Sequence, residues 1–263
     1  KNQGVELELK HNNRIGKDFY YNVGFTFSHA RNEILDMDEP DAKTGYRKQE
    51  GHPINQYFGL ICDGFVTQAD LDNPNFPKST YGNVQVGDLK YRDMNGDGFI
   101  DDRDETFIGY SDIPENTYAL TLGAQWKGIG FSVMFQGVDH VSRFYDAEAM
   151  FAFVNGGKVK EHHLGRWNPA MSEEYNLANA TYPLLHYDSY GNHNQRQNPF
   201  FLKNGAFLRL KNIELSYSLP QSWIKKAAMK ECRIYVNASN LVTWDHLGGL
   251  TAVSYTHLTL PTN

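Results

Sequence analysis

The residues whose types and spacing can do chemistry lie together between positions 93 and 104. The run Asp93-Met94-Asn95-Gly96-Asp97-Gly98-Phe99-Ile100-Asp101-Asp102-Arg103-Asp104 places oxygen-bearing side chains at alternate positions. Asp93, Asn95 and Asp97 fall at positions 1, 3 and 5 of a calcium loop of the EF-hand type, with Gly98 at 6 for the sharp turn. The Phe99 carbonyl falls at 7, Asp101 at 9 and Asp104 at 12. Calcium is a hard cation that takes about six to eight oxygens, and this spacing folds alternate carboxylates around one point. The expected cofactor is a structural Ca2+ held by Asp93, Asn95, Asp97, Phe99, Asp101 and Asp104. Two features depart from the pattern. Asp104 stands where a bidentate Glu is usual, and Leu89-Lys90-Tyr91 before and Thr106-Phe107-Ile108 after read as extended rather than helical. The competing reading is an Asx- and Gly-rich turn without an ion.

Other constellations are weaker. Glu161-His162-His163 could seed a zinc site, but adjacent histidines share no face of a helix or strand, and a solvated loop is expected. Asp139-His140 and the serines suggest a triad only on paper, because no nucleophile elbow of G-x-S-x-G form is present. Glu173-Glu174 could serve a glycosidase, yet acidic pairs in polar segments are usually solvated. Tyr57, Phe58, Phe65, Tyr81, Trp167, Tyr175, Tyr182, Tyr187 and Tyr190 could stack on sugar rings or simply pack. No Gly-rich phosphate loop and no catalytic set emerge, so an enzyme is not expected.

The elements that must position these residues are strands. The chain has 263 residues, with 25 Lys+Arg against 31 Asp+Glu for a net charge of -6, which speaks against nucleic acid as a partner. Its longest apolar run, Ala149 to Val154, is far short of the roughly 20 residues of a membrane helix. That excludes helical spans but not a barrel, whose apolar surface is hidden in alternation. Cys62 and Cys232 form no disulfide framework and have no metal-site spacing; two unpaired thiols are expected, with a single disulfide left open.

Three hairpins show period two. In the first, Val5, Leu7 and Leu9 alternate with Glu6, Glu8 and Lys10; a polar turn is expected over His11 to Asp18. Phe19, Tyr21, Val23, Phe25 and Phe27 then alternate with Tyr20, Asn22, Gly24, Thr26 and Ser28. In the second, Tyr118, Leu120, Leu122, Ala124 and Trp126 share a face, the turn is Lys127-Gly128-Ile129-Gly130, and Phe131, Val133 and Phe135 return. The third runs Ala206 to Leu219 and Cys232 to Trp244. Its pattern changes faces near Asn212, which predicts either a bulge or a strand that leaves the membrane. Between its arms, Ser222 is an expected N-cap for a short helix containing Trp223, Ile224, Ala227 and Ala228. About eight strands are expected in all.

Aromatic residues on one face and Gly, Thr, Ser and Asn on the other suit a barrel wall with a wet lumen. Two excursions, Arg31 to Glu115 and Val141 to Gly205, contrast with the short turns, the asymmetry of outer-membrane barrels. Residues 31–115 hold 18 Asp+Glu and 8 Lys+Arg. That is a net of -10, which against the total of -6 leaves +4 on the rest.

At this point the residues resemble a family. Gly87-Asp88-Leu89-Lys90-Tyr91-Arg92-Asp93-Met94-Asn95-Gly96-Asp97-Gly98 is similar to the G-D-I-K-Y-x-D-x-N-G-D-G segment of SusC/RagA proteins, TonB-dependent outer-membrane transporters of Bacteroidota. Phe131 to Gly137, Phe207 to Pro220 and Arg233 to Leu241 resemble further family segments in the same order. The resemblance spans about residues 4 to 247. It implies an all-β fold: part of a 22-stranded antiparallel transmembrane β-barrel with long extracellular loops, the whole being filled by an N-terminal plug. It implies uptake of oligosaccharides or peptides in the cell outer membrane. The implied partners are a SusD-like surface lipoprotein, the TonB complex, and outer-membrane lipid.

On this reading residues 1–247 are the C-terminal part of the barrel, with long loops at about 31–115 and 141–205, and the plug and TonB box lie elsewhere. Residues 248–263, Gly248 to Asn263, resemble adapter read-through and are expected to be a non-native tail. The alternative from another class is a secreted calcium-binding β-protein that binds carbohydrate through aromatic loops. A glycoside hydrolase finds no support in the spacing.

Overall fold

The computed structural model describes residues 1–39, 45–145, 147–187, 192–225 and 229–247. In chain order the strands are β1 (Asn2–Ile15), β2 (Phe19–Asn32), β3 (Gln56–Gly59), β4 (Cys62–Phe65), β5 (Lys78–Ser79), β6 (Leu89–Tyr91), β7 (Phe99–Ile100), β8 (Thr106–Ser111), β9 (Asn116–Trp126) and β10 (Ile129–Asp139). β11 (Ser142–Phe144), β12 (Leu202–Asn204), β13 (Phe207–Ser218) and β14 (Arg233–Asp245) follow. The short helices are α1 (Gln68–Asp72), α2 (Ala147–Met150), α3 (Glu173–Asn179) and α4 (Gln221–Ile224).

Six long strands form one antiparallel sheet in the order β1-β2-β9-β10-β13-β14. With the two excursions removed, each strand pairs with its sequence neighbour, an up-and-down meander. Among the described residues the sheet stays open, because β1 and β14 are each paired on one side only. This is an antiparallel portion of a barrel wall, with six wall strands rather than the eight that the pattern suggests; the other short strands lie in the excursions.

The register carries the alternation across the whole sheet. Phe25 lies opposite Leu9 on one side and Leu120 on the other, and Leu120 lies opposite Phe135. Leu215 lies opposite both Phe131 and Val236. All of these residues therefore share one face. The second face carries Glu8, Thr26, Ala119 and Gln136 in register, continued by Arg209 and Thr243. One-residue slippage would exchange the faces of a whole strand, so the pattern itself specifies the register.

Local chemistry explains the turns. Lys127 and Gly128 both have positive φ, +48° and +88°, as a two-residue hairpin turn of type I′ requires. Ile129 and Gly130 therefore belong to the strand rather than the turn. The first turn is also shorter than expected. β1 continues through Ile15, with Asn12 opposite Asn22 and Arg14 opposite Tyr20, so the turn is only Gly16, Lys17 and Asp18. The polar residues 11–14 stay in the ladder because backbone pairing, not side-chain polarity, sets its end. The His11 ring also meets the Tyr21 hydroxyl at 3.0 Å.

The bulge is present. The register of β13 shifts between Leu210 and Asn212 against both neighbours, leaving Lys211 as the extra residue toward β10. On β14, Asn240 has φ +55° beside it. α4 begins two residues earlier than the Ser222 cap implies, with Pro220 in the N-cap position and no side-chain cap bond. Ala227, Ala228, Tyr190 and the expected tail from Gly248 lie outside the described residues.

The apolar core lies outside the sheet. Leu60, Leu89, Tyr91 and Ile100 from the first excursion pack with Met150, Phe151, Val154, Tyr182 and Phe201 from the second. The excursions thus form one folded layer beyond the strand ends. Backbone contact is close where they meet: Leu60 N–H donates to the Gln197 carbonyl at 2.9 Å. A Cβ on Gly59 would lie 2.2 Å from that carbonyl oxygen. Gly59→Ala should therefore push the excursions apart at a cost of about 1–3 kcal/mol. Limited proteolysis within 45–115 is expected to speed up roughly tenfold, and unchanged cleavage would show that the contact is not tight.

Candidate functional site

The acidic loop is built from turns that satisfy themselves. Asp93 accepts the Gly96 and Gly98 N–H groups at 2.6 and 2.8 Å. Asn95 accepts Asp97 N–H, and Asp97 accepts Phe99 N–H, at 2.8 and 3.0 Å. The last two are successive Asx turns, and the glycines supply the positive φ the loop needs, +74° at Gly96 and +82° at Gly98. Gly98 and Ile100 carbonyls accept from Lys78 and Thr80, which on an extended backbone turns the Phe99 carbonyl the other way.

Asp104 closes the loop from inside. It is fully buried, and its two oxygens accept Met94 N–H and Asp101 N–H, both at 2.9 Å. Arg103 spans the rim: its guanidinium reaches Asp97 at 2.6 Å and Asp101 at 2.7 Å. The Arg103 hydrogen bonds hold the Asp101 carboxyl below its usual range. Asp93, Asn95, Asp97, Asp101 and Asp104 thus sit on one loop, but their oxygens are engaged by backbone N–H groups and Arg103. Among the described residues no group of three or more His, Cys, Asp or Glu side chains is placed to hold a metal ion.

Above this loop a buried polar network joins the two excursions. The His193 ring, which sequence polarity does not flag, is buried. Its Nε2–H donates to the Leu89 carbonyl at 2.7 Å and its Nδ1 faces Ser79 Oγ at 2.8 Å. Burial pushes its pKa down, consistent with a neutral ring. The Tyr91 hydroxyl donates to the His193 carbonyl at 3.0 Å and accepts from fully buried Asn198, also at 3.0 Å. Arg196 stacks on Tyr81 at 4.2 Å and pairs with Asp102 and Glu105 at 2.9 and 3.0 Å. Burial raises the Glu105 pKa even with Arg196 beside it. No periodicity in the sequence marks His193, Asn194 and Asn198 as buried.

The remaining flagged residues do structural work. His163 is buried rather than solvated; it and His162 both direct Nε2 at the Met150 carbonyl, at 2.9 and 3.0 Å. Asp139 and His140 meet at 2.6 Å at the wall's rim, with Asn116 completing the cluster in place of a serine. Glu173 and Glu174 occupy the first turn of α3, and Glu173 accepts Gln68 N–H at 2.8 Å. Of the aromatic residues, Trp167 and Tyr182 are core, Phe65 packs edge-on to Trp167, and Tyr175 and Tyr187 are exposed. Both cysteines are free thiols, and burial pushes Cys62 up to about 11.

No family model matches the chain. It is 24% identical over 267 residues to a TonB-dependent receptor of Formosa agariphila, an alignment covering 95% of this chain and 25% of that protein. A second TonB-dependent receptor of the same organism is 23% identical over 257 residues, covering 93% and 24%. Among solved structures, that of the RagAB peptide transporter superposes with a TM-score of 0.65 at 24% identity, over 95% of this chain and 26% of that one. The RagAB peptide importer in its open-open state gives 0.66 at 23% identity, with the same coverage. The chain spans about a quarter of the length of the curated relatives it matches.

The loop geometry makes Asp104 its keystone. Asp104→Ala leaves two part-buried N–H groups without their acceptor, a loss of about 2 kcal/mol or roughly 30-fold. Amide exchange over 93–105 should quicken by that factor in hydrogen-exchange mass spectrometry. An unchanged rate would show that Asp104 does not hold the loop.

Proposed function

We infer that this chain, a portion of a TonB-dependent receptor of the SusC/RagA type, supplies barrel wall and extracellular loops to a transporter of the cell outer membrane. The reading is carried by one observation: six antiparallel strands with a continuous apolar face and a continuous polar face. In a bilayer the apolar face meets lipid and the polar face lines a wet lumen. Strands of 11 to 14 residues are long enough to cross, since a tilted spanning strand needs roughly 9–11. The edges at β1 and β14 would be continued by strands from the rest of the receptor, because lipid satisfies no backbone N–H or carbonyl.

The activity of the whole receptor is uptake of oligosaccharides or peptides together with a SusD-like lipoprotein, driven through TonB. The solved relatives are described as a peptide transporter and importer, which favours peptides within that class. This stretch would contribute no catalytic group. Its part is to wall the lumen and to shape the surface layer through which substrate enters. The test is uptake of a fluorescent oligopeptide by cells carrying the full-length receptor. Uptake should fall to background on deletion of the gene and on collapse of the proton-motive force. A full-length product released as a detergent-free soluble protein would overturn the reading.

We also propose that the 93–104 loop takes Ca2+. The donor chemistry supports it: only oxygens, from Asp93, Asn95, Asp97, the Phe99 carbonyl, Asp101 and Asp104, at the spacing calcium loops use. The ion would take over the charge neutralisation that Arg103 provides at Asp97 and Asp101. Asp93→Ala combined with Asp97→Ala should lower the protection of residues 85–110 from proteolysis, as should a chelator on the unaltered protein. Arg103→Gln should make that protection more calcium-dependent. Equal cleavage with and without chelator would remove calcium from the account.

A further inference from the structure

Gly87 and Asp88 belong to the first excursion, yet most of their partners lie in the second. Gly87 has φ +94°, and a Cβ there would lie 2.3 Å from the Trp167 ring. Its carbonyl accepts Leu184 N–H at 2.8 Å. Asp88 is 1% exposed. One of its oxygens accepts Asn194 Nδ2–H at 2.8 Å and meets His186 Nε2 at 2.5 Å. Its other oxygen takes Gln85 N–H inside its own turn, at 2.7 Å. Asn194 answers by accepting Leu89 N–H at 2.9 Å.

This is a two-way clasp around a buried carboxylate. Withdrawing either excursion would leave Asp88 short of donors in a place water does not reach, which is far costlier than parting apolar surfaces. The excursions leave the wall from different connections, β2 to β9 and β10 to β13, with the β9–β10 hairpin between them. Nothing in the wall therefore obliges them to move together.

We propose that Asp88 couples the two excursions, so that the surface layer opens and closes as one cooperative unit rather than as two independent loops. The coupling rests on the contacts alone and holds whatever the receptor carries. Any motion that admits substrate would then lift the layer from all four strand ends at once. Local opening of one excursion would be suppressed.

Hydrogen-exchange mass spectrometry on the full-length receptor in detergent tests this from both sides. Asp88→Ala and Asn194→Ala should each quicken exchange about tenfold in both excursions, over 56–111 and over 161–187. Amides of 118–136 in the wall should keep their rates and so report an intact barrel. Acceleration confined to the excursion that carries the substitution would overturn the proposal. Should Asp88→Ala fail to assemble, Asn194→Ala decides alone, because it removes a donor without stripping the carboxylate of its other partners.

Discussion

In the proposed membrane setting, backbone pairing without water is the constraint on which the rest depends. A strand that faces lipid has only its neighbours to satisfy its N–H and carbonyl groups. That demand explains why each wall strand pairs with the next in sequence, why the turns at Gly16–Asp18 and Lys127–Gly128 are tight, and why β1 keeps its ladder through residues as polar as Asn12 and Arg14. It also explains how the bulge is handled. Lys211 is the extra residue toward β10, while on the other side β14 sets two residues, Asn240 and Leu241, against Lys211, so the ladder resumes on both sides instead of fraying.

A one-layer sheet has no interior, and the protein places its core elsewhere. The excursions bury Leu60, Leu89, Phe151, Phe201 and their neighbours against each other, with polar groups threaded through. His193, Asn194 and Asn198 are buried as deeply as the apolar residues, and each is hydrogen-bonded. Such satisfied networks define one arrangement among the many that apolar packing alone would allow. The surface layer is thus a folded body fixed to the wall, and the acidic 93–104 loop is one of its built-in turns.

The wall was legible in the sequence because period two survives any amount of polarity on the alternate positions. Phe19 to Phe27 and Tyr118 to Trp126 show it plainly, and the change of face near Asn212 located the bulge. The first turn was misjudged because residues 11–14 lose the apolar signal while keeping the backbone one. Of the layer, the acidic turn and the extended segments at Leu89–Tyr91 and Thr106–Ile108 were legible, but its packing was not. Its strands are two to six residues long, its core alternates with nothing, and no periodicity marks its buried histidines and asparagines. The acidic loop stood out as a motif. The engagement of Asp97 and Asp101 by Arg103 is a matter of side-chain direction, which spacing does not reveal.

In the proposed receptor the sheet has one lipid face and one aqueous face. It is tested by single-cysteine labelling along β9 of the full-length receptor in native outer membranes, with a membrane-impermeant thiol reagent and Cys62 and Cys232 replaced by serine. Alternation is expected: Thr117, Ala119, Thr121, Gly123 and Gln125 positions labelled from the aqueous side, and Tyr118, Leu120, Leu122 and Ala124 positions protected. Uniform labelling of both sets, or protection of both, would contradict it.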